Sequence, residues 1–510
     1  MRLLDVGSLQ IHQFQANPPP YAILSHVWSS DEVTFQDLSQ AGCTQKNGFK
    51  KISSFCWTLT QNLPRVTYAW VDTCCIDKTS SSELSEAINS MCAWYRGAVT
   101  CYAHLADVKL NNRQSLGSDF EKSTWFTRGW TLQELLAPVE VEFYDKNWKF
   151  IGTRLTLAKR IASITGIDED VLVTGNWTNL SAAHKMSWAA KRRTTRPEDM
   201  AYCLLGIFDV NMPMLYGEGE RAFTRLQEEI LREYDDLSLL AWDASDVPAS
   251  EDIVGVLASH PRFFQSCAGI TSYPSEGKPF AITNRGLQVS LPIFEGPLLG
   301  AALPCAPKGN FASSIMICVV RDAVVPNKYS RHRSVTWEFL MAEPEGLRKV
   351  ERDILLVKRS IFGIQQFARC WVRYSGPLRL LAVYSVEKWQ FNGAGNWTMI
   401  IPKPSTGHPV VSVFAFQQVV HKRHLAAIIW VDARTGLPKI NVVGISDVRS
   451  DVPFNDVQVQ DQLKKLAAVQ TDYLDKSTND FRLQGMRVRA QLSREIIRGS
   501  WTTMVNLICS

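Results

Sequence analysis

Three short apolar runs in this chain end in residues whose side chains can do chemistry. YAILSHVW stays apolar from Tyr21 until Ser25 and His26, and closes on Trp28. The run Val66 to Val71 meets Asp72, with Asp77 in the loop that follows, and AVTCYAHLAD carries His104 and Asp107 towards its end. A fourth stretch, WFTRGW, adds Arg128 and Trp130. Imidazole and carboxylates exchange protons near neutrality, indoles hold planar or cationic groups, and a guanidinium grips anions bidentately. Such a set suits a pocket for a charged aromatic small molecule. His26 also has an ordinary reading, as a hydrogen-bonded histidine at a strand end.

The elements that position these residues follow from periodicity. The central stretch is TYAWVDTCCIDKTSSSELSEAINSMCAWYRGA, Thr67 to Ala98. Its continuous apolar start predicts a strand buried on both faces, followed by a polar, Ser-rich turn. From Glu83 onward Leu84, Ala87, Ile88, Met91, Tyr95 and Ala98 share one helical face. Ser80 and Glu83 have capping-box spacing and place the helix start at Ser80. Upstream, Phe49, Ile52, Cys56, Leu59 and Leu63 mark another helix, closed by Pro64. Downstream, the Arg128-Gly129 turn leads into a short helix stopped by Pro138, and VEFYD is a fourth strand. The order β-α-β-α-β-α-β predicts a doubly wound, mostly parallel sheet with right-handed crossovers. Loops at the carboxyl ends of such strands are where ligands are handled. The first twenty residues read as a short edge strand or arm reaching three prolines, a stiff connector.

At 510 residues the chain allows about two to four domains. Residues 1–150 form the α/β unit, 151–236 a helical extension packed on it, and 237–510 a β-rich C-terminal domain with a terminal helix in VQDQLKKLAAVQTDYL. In the extension, RRTTRPEDMAYCLLGIFDV predicts a helix with Pro197 in its first turn. Lys191, Arg192, Arg193 and Arg196 before it read as a solvated face or as ion pairs rather than a phosphate site. Hydrophobic residues make up 45% and charged residues 21%, as in ordinary globular proteins, and a net charge of +5 over this length does not call for nucleic acid. The twelve cysteines are irregularly spaced without a C-x-x-C pair, and no leader is apparent, so a reduced, cytoplasmic protein is expected. Cys74-Cys75 reads as packing, and no metal site is expected. No apolar run reaches the ~18–20 residues that span a bilayer.

With those residues in view, the chain resembles the fungal heterokaryon-incompatibility (HET) domain. The resemblance lies in YAILSHVW, YAWVDTCCIDKTSSSELSEAINSMCAWYRGA and WFTRGWTLQELLAP, in family order over about 140 residues. It continues through RRTTRPEDMAYCLLGIFDVNMPMLYGEGERAF and PFAITNRGLQVSLPI, which are similar to segments following that domain in the vegetative-incompatibility subgroup. Larger members of the subgroup add a nucleotide-binding STAND module and WD repeats. This chain has no G-x-x-x-x-G-K-[ST] loop and no internal repeat. The resemblance implies action in fungal non-self recognition and programmed cell death, through protein partners or self-association, without nucleic acid or a membrane span.

HET domains are regarded as distant relatives of TIR domains, so the resemblance implies a TIR-like sheet. Enzymatic TIR members hydrolyse NAD at the nicotinamide–ribose bond, which makes NAD the expected substrate, with no resident cofactor. That cleavage develops an oxocarbenium-like centre, which a carboxylate stabilises while rings hold the leaving group. Glu83 aligns with the acidic residue of the family's central block and is the carboxylate the resemblance points to, with Asp72 and Asp77 as rivals. Ser25, His26, Trp28, Arg128 and Trp130 would line the substrate site, Trp28 or Trp130 stacking on a base and Arg128 holding a phosphate. Each has a structural alternative: Glu83 can close a capping box with Ser80, worth about 1 kcal/mol. Trp28 and Trp130 can be core, and Arg128 can pair with Asp72 or Asp77. The contrasting expectation is a non-enzymatic assembly module or a regulatory homologue.

Overall fold

The computed structural model describes residues 1–40, 42–110, 116–244, 253–273, 278–295, 299–310, 313–321, 327–332, 339–341 and 348–358, and beyond these the strands between Phe367 and Cys509. A hairpin, β1 (Arg2–Asp5) and β2 (Ile11–Gln13), opens the chain. It is followed by β3 (Tyr21–His26), helix α1 (Asn47–Asn62), β4 (Tyr68–Val71), the short helix α2 (Asp72–Cys75), helix α3 (Ser81–Gly97) and β5 (Thr100–His104). Helix α4 (Thr131–Leu136), β6 (Val141–Tyr144) and β7 (Phe150–Thr153) complete the N-terminal unit.

These strands build one seven-stranded sheet in the order β2-β1-β4-β3-β5-β6-β7. The four inner strands β4, β3, β5 and β6 are parallel, while the hairpin on one edge and β7 on the other run antiparallel. The N-terminal arm thus joins the sheet edge through β1 and β4. Every residue of β3 and β5 is buried, which accounts for their unbroken apolar sequence.

Register shows which face each helix covers. Ile23 lies beside Trp70 and Cys101, and Leu24 beside Val71 and Tyr102, so the two rows point to opposite faces. Phe55 of α1 packs edge-on to Tyr102 at 5.6 Å, whereas Tyr95 of α3 packs on Trp70 at 5.8 Å. The helices therefore cover opposite faces, and β3 lies between the strands that follow it in sequence. The chain leaves β3 for one face and later leaves β5 for the other, so a crevice opens between their carboxyl ends.

Where a polar turn was expected after β4, the chain makes the single helical turn α2, which buries Cys74 and Cys75 inside the core. Their neighbouring positions are helical and not strand-like. Asp72 starts that turn, where a carboxylate is favoured by the helix dipole.

Six further helices follow: α5 (Ala158–Thr165), α6 (Glu169–Thr174), α7 (Ala182–Ser187), α8 (Asp199–Tyr202), α9 (Leu205–Phe208) and α10 (Arg221–Glu233). The helix expected after Pro197 is broken into α8 and α9, and Asp209 ends it with a φ of 54°. The break lies where the chain meets α3, since a Cβ on Gly206 would stand 2.0 Å from Cys92 Cβ.

In the β-rich part, Leu287–Glu295, Leu299–Leu303, Ser313–Arg321, Lys328–His332 and Arg348–Leu356 pair in a closed ring, a small barrel. The buried core is continuous from Leu3 to Leu356. Arg331 of the barrel, buried, donates to the carbonyls of Leu240 at 2.8 Å and of Trp242, and stacks 3.9 Å from the Trp242 ring. The later strands form a six-stranded and a four-stranded sheet. The helix expected in VQDQLKKLAAVQTDYL lies outside the described residues.

Candidate functional site at the strand ends

Alternation along β3 sends Ser25 and His26 to opposite faces, and each organises a polar cluster. His26 pairs in register with His104 of β5, so the two imidazoles flank the crevice between those strands. Around them stand Glu32 from the loop after β3, Lys51 of α1 and Asp72 at the end of β4. His26 Nε2 is 3.8 Å from Glu32 Oε2 and 3.9 Å from Asp72 Oδ1, and neither ring nitrogen has a hydrogen-bond partner within the protein. Lys51 Nζ holds Glu32 Oε1 at 2.6 Å.

Burial pushes the His26 pKa well below the ordinary imidazole value, assisted by the positive charge of Lys51. Burial likewise lowers His104, to about 4, where it stacks on Trp148 at 4.6 Å. Both rings are therefore neutral near pH 7.

The outer rim of this cluster faces solvent. Trp28 is 53% exposed, donates its Nε1 to Asp72 Oδ2 at 2.8 Å, and carries the Lys78 ammonium 3.5 Å above its ring. Burial raises the Asp72 pKa, while Lys78 and the Trp28 hydrogen bond partly offset it. Asp72 is thus a desolvated carboxylate at the crevice mouth with an aromatic plane bonded to it, an arrangement that can stabilise positive charge on a ligand.

The cluster on the opposite face is closed. Ser25 is buried, accepts from Trp125 Nε1 at 2.8 Å and donates to Glu134 Oε2. Glu134, from α4, is buried beside Tyr95 and Arg192, and burial raises its pKa to about 8. Arg192 departs from the solvated face expected of its basic cluster. It is buried, donating from Nη1 to Arg128 O at 2.8 Å and to Thr131 Oγ1 at 2.9 Å, and burial lowers its pKa to about 10.

Other expected site residues are placed elsewhere. Asp77 shapes its own loop: Oδ1 accepts from Thr79 N at 2.9 Å, Thr79 Oγ1 and Gln36 Nε2, and these bonds lower its pKa. Glu83 receives its backbone N–H cap from Ser80 at 3.4 Å, but its carboxylate bonds Arg2 and the Asp77 N–H (2.8 Å) instead of closing the box onto Ser80. Asp107 caps the turn Thr124–Thr127 through Ser123 and Thr124. Arg128 bonds Thr195 Oγ1 at 3.1 Å, and the partly buried Trp130 acts on Asp199 and helps to offset the effect of burial on its pKa, so both face the helical extension. The structure brings together Trp28, His26 and Asp72, with His104; it sends Ser25 behind the sheet and leaves Glu83, Asp77, Arg128 and Trp130 outside the cluster.

Glu32, Lys51 and Glu134 were not expected. Glu134 in TLQELL looks like a solvent-facing helix residue, and its partner Ser25 is 109 positions away, so no local pattern betrays it. A separate groove of about 740 Å³, lined by Arg96, Trp177, Lys185, Phe208, Tyr234 and Tyr273 among others, contains none of the expected site residues. Among the described residues no group of three or more His, Cys, Asp or Glu is arranged for a metal ion, and no helix is long and apolar enough to cross a membrane.

Residues 21–116, from β3 past β5, match the family described as Heterokaryon incompatibility protein (HET), and residues 221–272 match a domain of unknown function (DUF8212). A 220-residue stretch is 48% identical to the Vegetative incompatibility protein HET-E-1 of Podospora anserina, covering 42% of this chain and 16% of that protein. The strand-end cluster lies within the segment that matches the HET family, and this chain spans only a small part of the fungal vegetative incompatibility protein it resembles.

Proposed function

We propose that this chain acts in fungal heterokaryon incompatibility and that its HET domain does so as an NAD-consuming enzyme, cleaving the nicotinamide–ribose bond at the strand-end cluster. The first part is supported by the family match and by the likeness to a vegetative incompatibility protein. The observation that carries the second is Asp72, a desolvated carboxylate at the mouth of the β3–β5 crevice, bonded to the exposed Trp28.

In this reading Asp72 faces the developing positive charge at the ribose carbon, and Trp28 stacks on the nicotinamide. Neutral His26 holds the crevice beside Asp72. Glu83 is the rival carboxylate, and its existing bonds to Arg2 and the Asp77 N–H favour a supporting role.

The test is NAD consumption by the purified full chain, with Asp72→Asn and Glu83→Gln beside wild type and thermal melts on all three. Nicotinamide release by wild type, reduced about 100-fold or more in a folded Asp72→Asn chain, supports the proposal. Equal consumption by Asp72→Asn, or none by wild type at high protein concentration, rejects it.

A further inference from the structure

Trp28 presents the kind of face that binds cations, and the protein already fills it. The Lys78 ammonium sits 3.5 Å from the ring centroid, and burial lowers the Lys78 pKa. Among the described residues the Lys78 side chain makes no ion pair within 4 Å and no hydrogen bond, while the carboxylates of Asp72 and Glu32 act on it at longer range. A lysine that is partly desolvated yet unpaired is held weakly.

The loop that carries it is built independently of it. Asp77 bonds Thr79 and Gln36, and Ser80 caps α3, so the backbone keeps its course whichever way the Lys78 side chain points. At the edge of the ring, Asp72 Oδ2 accepts from Trp28 Nε1, which orients both the plane and the carboxylate.

We propose that the Trp28–Asp72 pair is a binding platform for a planar organic cation of the pyridinium type, and that Lys78 is its built-in competitor, occupying the platform until such a cation displaces it. The proposal rests on the reading of this crevice as a ligand site and names the chemistry of what it takes and what restrains it. Lys78 marks the position where positive charge is favoured: over the indole face, within the field of Asp72. A planar cation gains more there than an ammonium does, because it stacks on the ring as well as carrying charge, and its binding must overcome the population of chains in which Lys78 occupies the face.

The test measures binding of 1-methylnicotinamide, a pyridinium cation with no ribose and hence no bond to cleave, to the full chain by calorimetry, with uncharged nicotinamide as control. Lys78→Ala is expected to bind the cation about five-fold or more tighter than wild type, Trp28→Ala to lose measurable binding, and Asp72→Asn to lose the preference for the cation over nicotinamide. Thermal melts confirm that each variant is folded, and Lys78→Met, which keeps the length of the side chain without its charge, should behave as Lys78→Ala.

Equal affinities of wild type, Lys78→Ala and Lys78→Met, or undiminished binding by folded Trp28→Ala, would overturn the proposal. NAD consumption is read separately on the same samples. Cation binding that responds to Lys78 without any NAD turnover keeps the platform and rejects hydrolysis; turnover without a Lys78 effect does the reverse.

Discussion

Glu134 and His104 are two buried titratable residues whose protonation is opposed in direction. Glu134 has its folded pKa raised to about 8, above the roughly 4.3 of an unfolded glutamate, so the native state holds a proton that the unfolded chain has released. Its contribution to stability is full below about pH 4 and is lost as pH rises to about 8. His104 is depressed to about 4, below the roughly 6.5 of a free imidazole, so its contribution is full above about pH 6.5 and is lost as pH falls towards 4. The two windows overlap, so the opposing slopes offset each other between about pH 4.3 and 6.5, and the Glu134 loss stands alone from there to about pH 8. Glu134→Gln keeps the shape of the side chain and abolishes its titration, so the alkaline fall of melting temperature between about pH 6.5 and 8 should flatten, and the His104 rise between about pH 4 and 6.5 should emerge unopposed. An unchanged alkaline slope in the variant would show that Glu134 is ionised already and that its burial is relieved by neighbours.

At the scale of elements, α3 is the support on which the site depends. Its N-terminus anchors the loop carrying Asp77 and Lys78, its Tyr95 packs on Trp70 and adjoins Glu134, and its Cys92 receives Gly206 of α9. The last contact leaves no room for a methyl group: a Cβ at Gly206 would lie 2.0 Å from Cys92 Cβ and 2.6 Å from its sulfur. Gly206→Ala should cost about 1–3 kcal/mol by overpacking, read as a lower denaturation midpoint, and this loss should be smaller when measured in a Cys92→Gly background, which removes both clashing atoms. If Gly206→Ala is neutral, α9 is free to slide along α3. Gly129 is similarly confined, with Thr194 Cγ2 2.5 Å from the position a Cβ would take, and this close approach explains why the Arg128–Trp130 turn faces the helical extension and not the strand ends.

For the whole molecule, one continuous buried cluster runs from the α/β unit through the helical extension into the barrel. Arg331 ties the barrel to the segment that follows the helical extension, its guanidinium buried against Trp242 and bonded to the backbone carbonyls of Leu240 and Trp242, with its pKa lowered to about 9 by burial. Arg331→Met preserves much of the volume but leaves those carbonyls without their donor, at about 1–3 kcal/mol each. We expect a single thermal transition in wild type and, in Arg331→Met, a lower transition or one split in two. A variant melt superimposable on wild type would mean that packing alone joins the parts.

Local pattern was enough to determine the parallel core. The apolar runs ending at His26, Asp72 and His104 became β3, β4 and β5 with the intervening helices, because period and burial are properties of short stretches. The same pattern placed Trp28, His26 and Asp72 at strand ends, and the topology made them neighbours. What only tertiary structure decided is the direction and company of each side chain. Ser25 and His26 are adjacent in sequence, yet strand alternation puts one behind the sheet with Glu134 and the other in the crevice with Glu32 and Lys51. Glu83 is legible as a helix cap, but its carboxylate is claimed by Arg2, which reaches it only because β1 pairs with β4. Partners 81 and 109 positions apart leave no periodic trace, since the chain brings them together through sheet order and helix packing, which no local window contains.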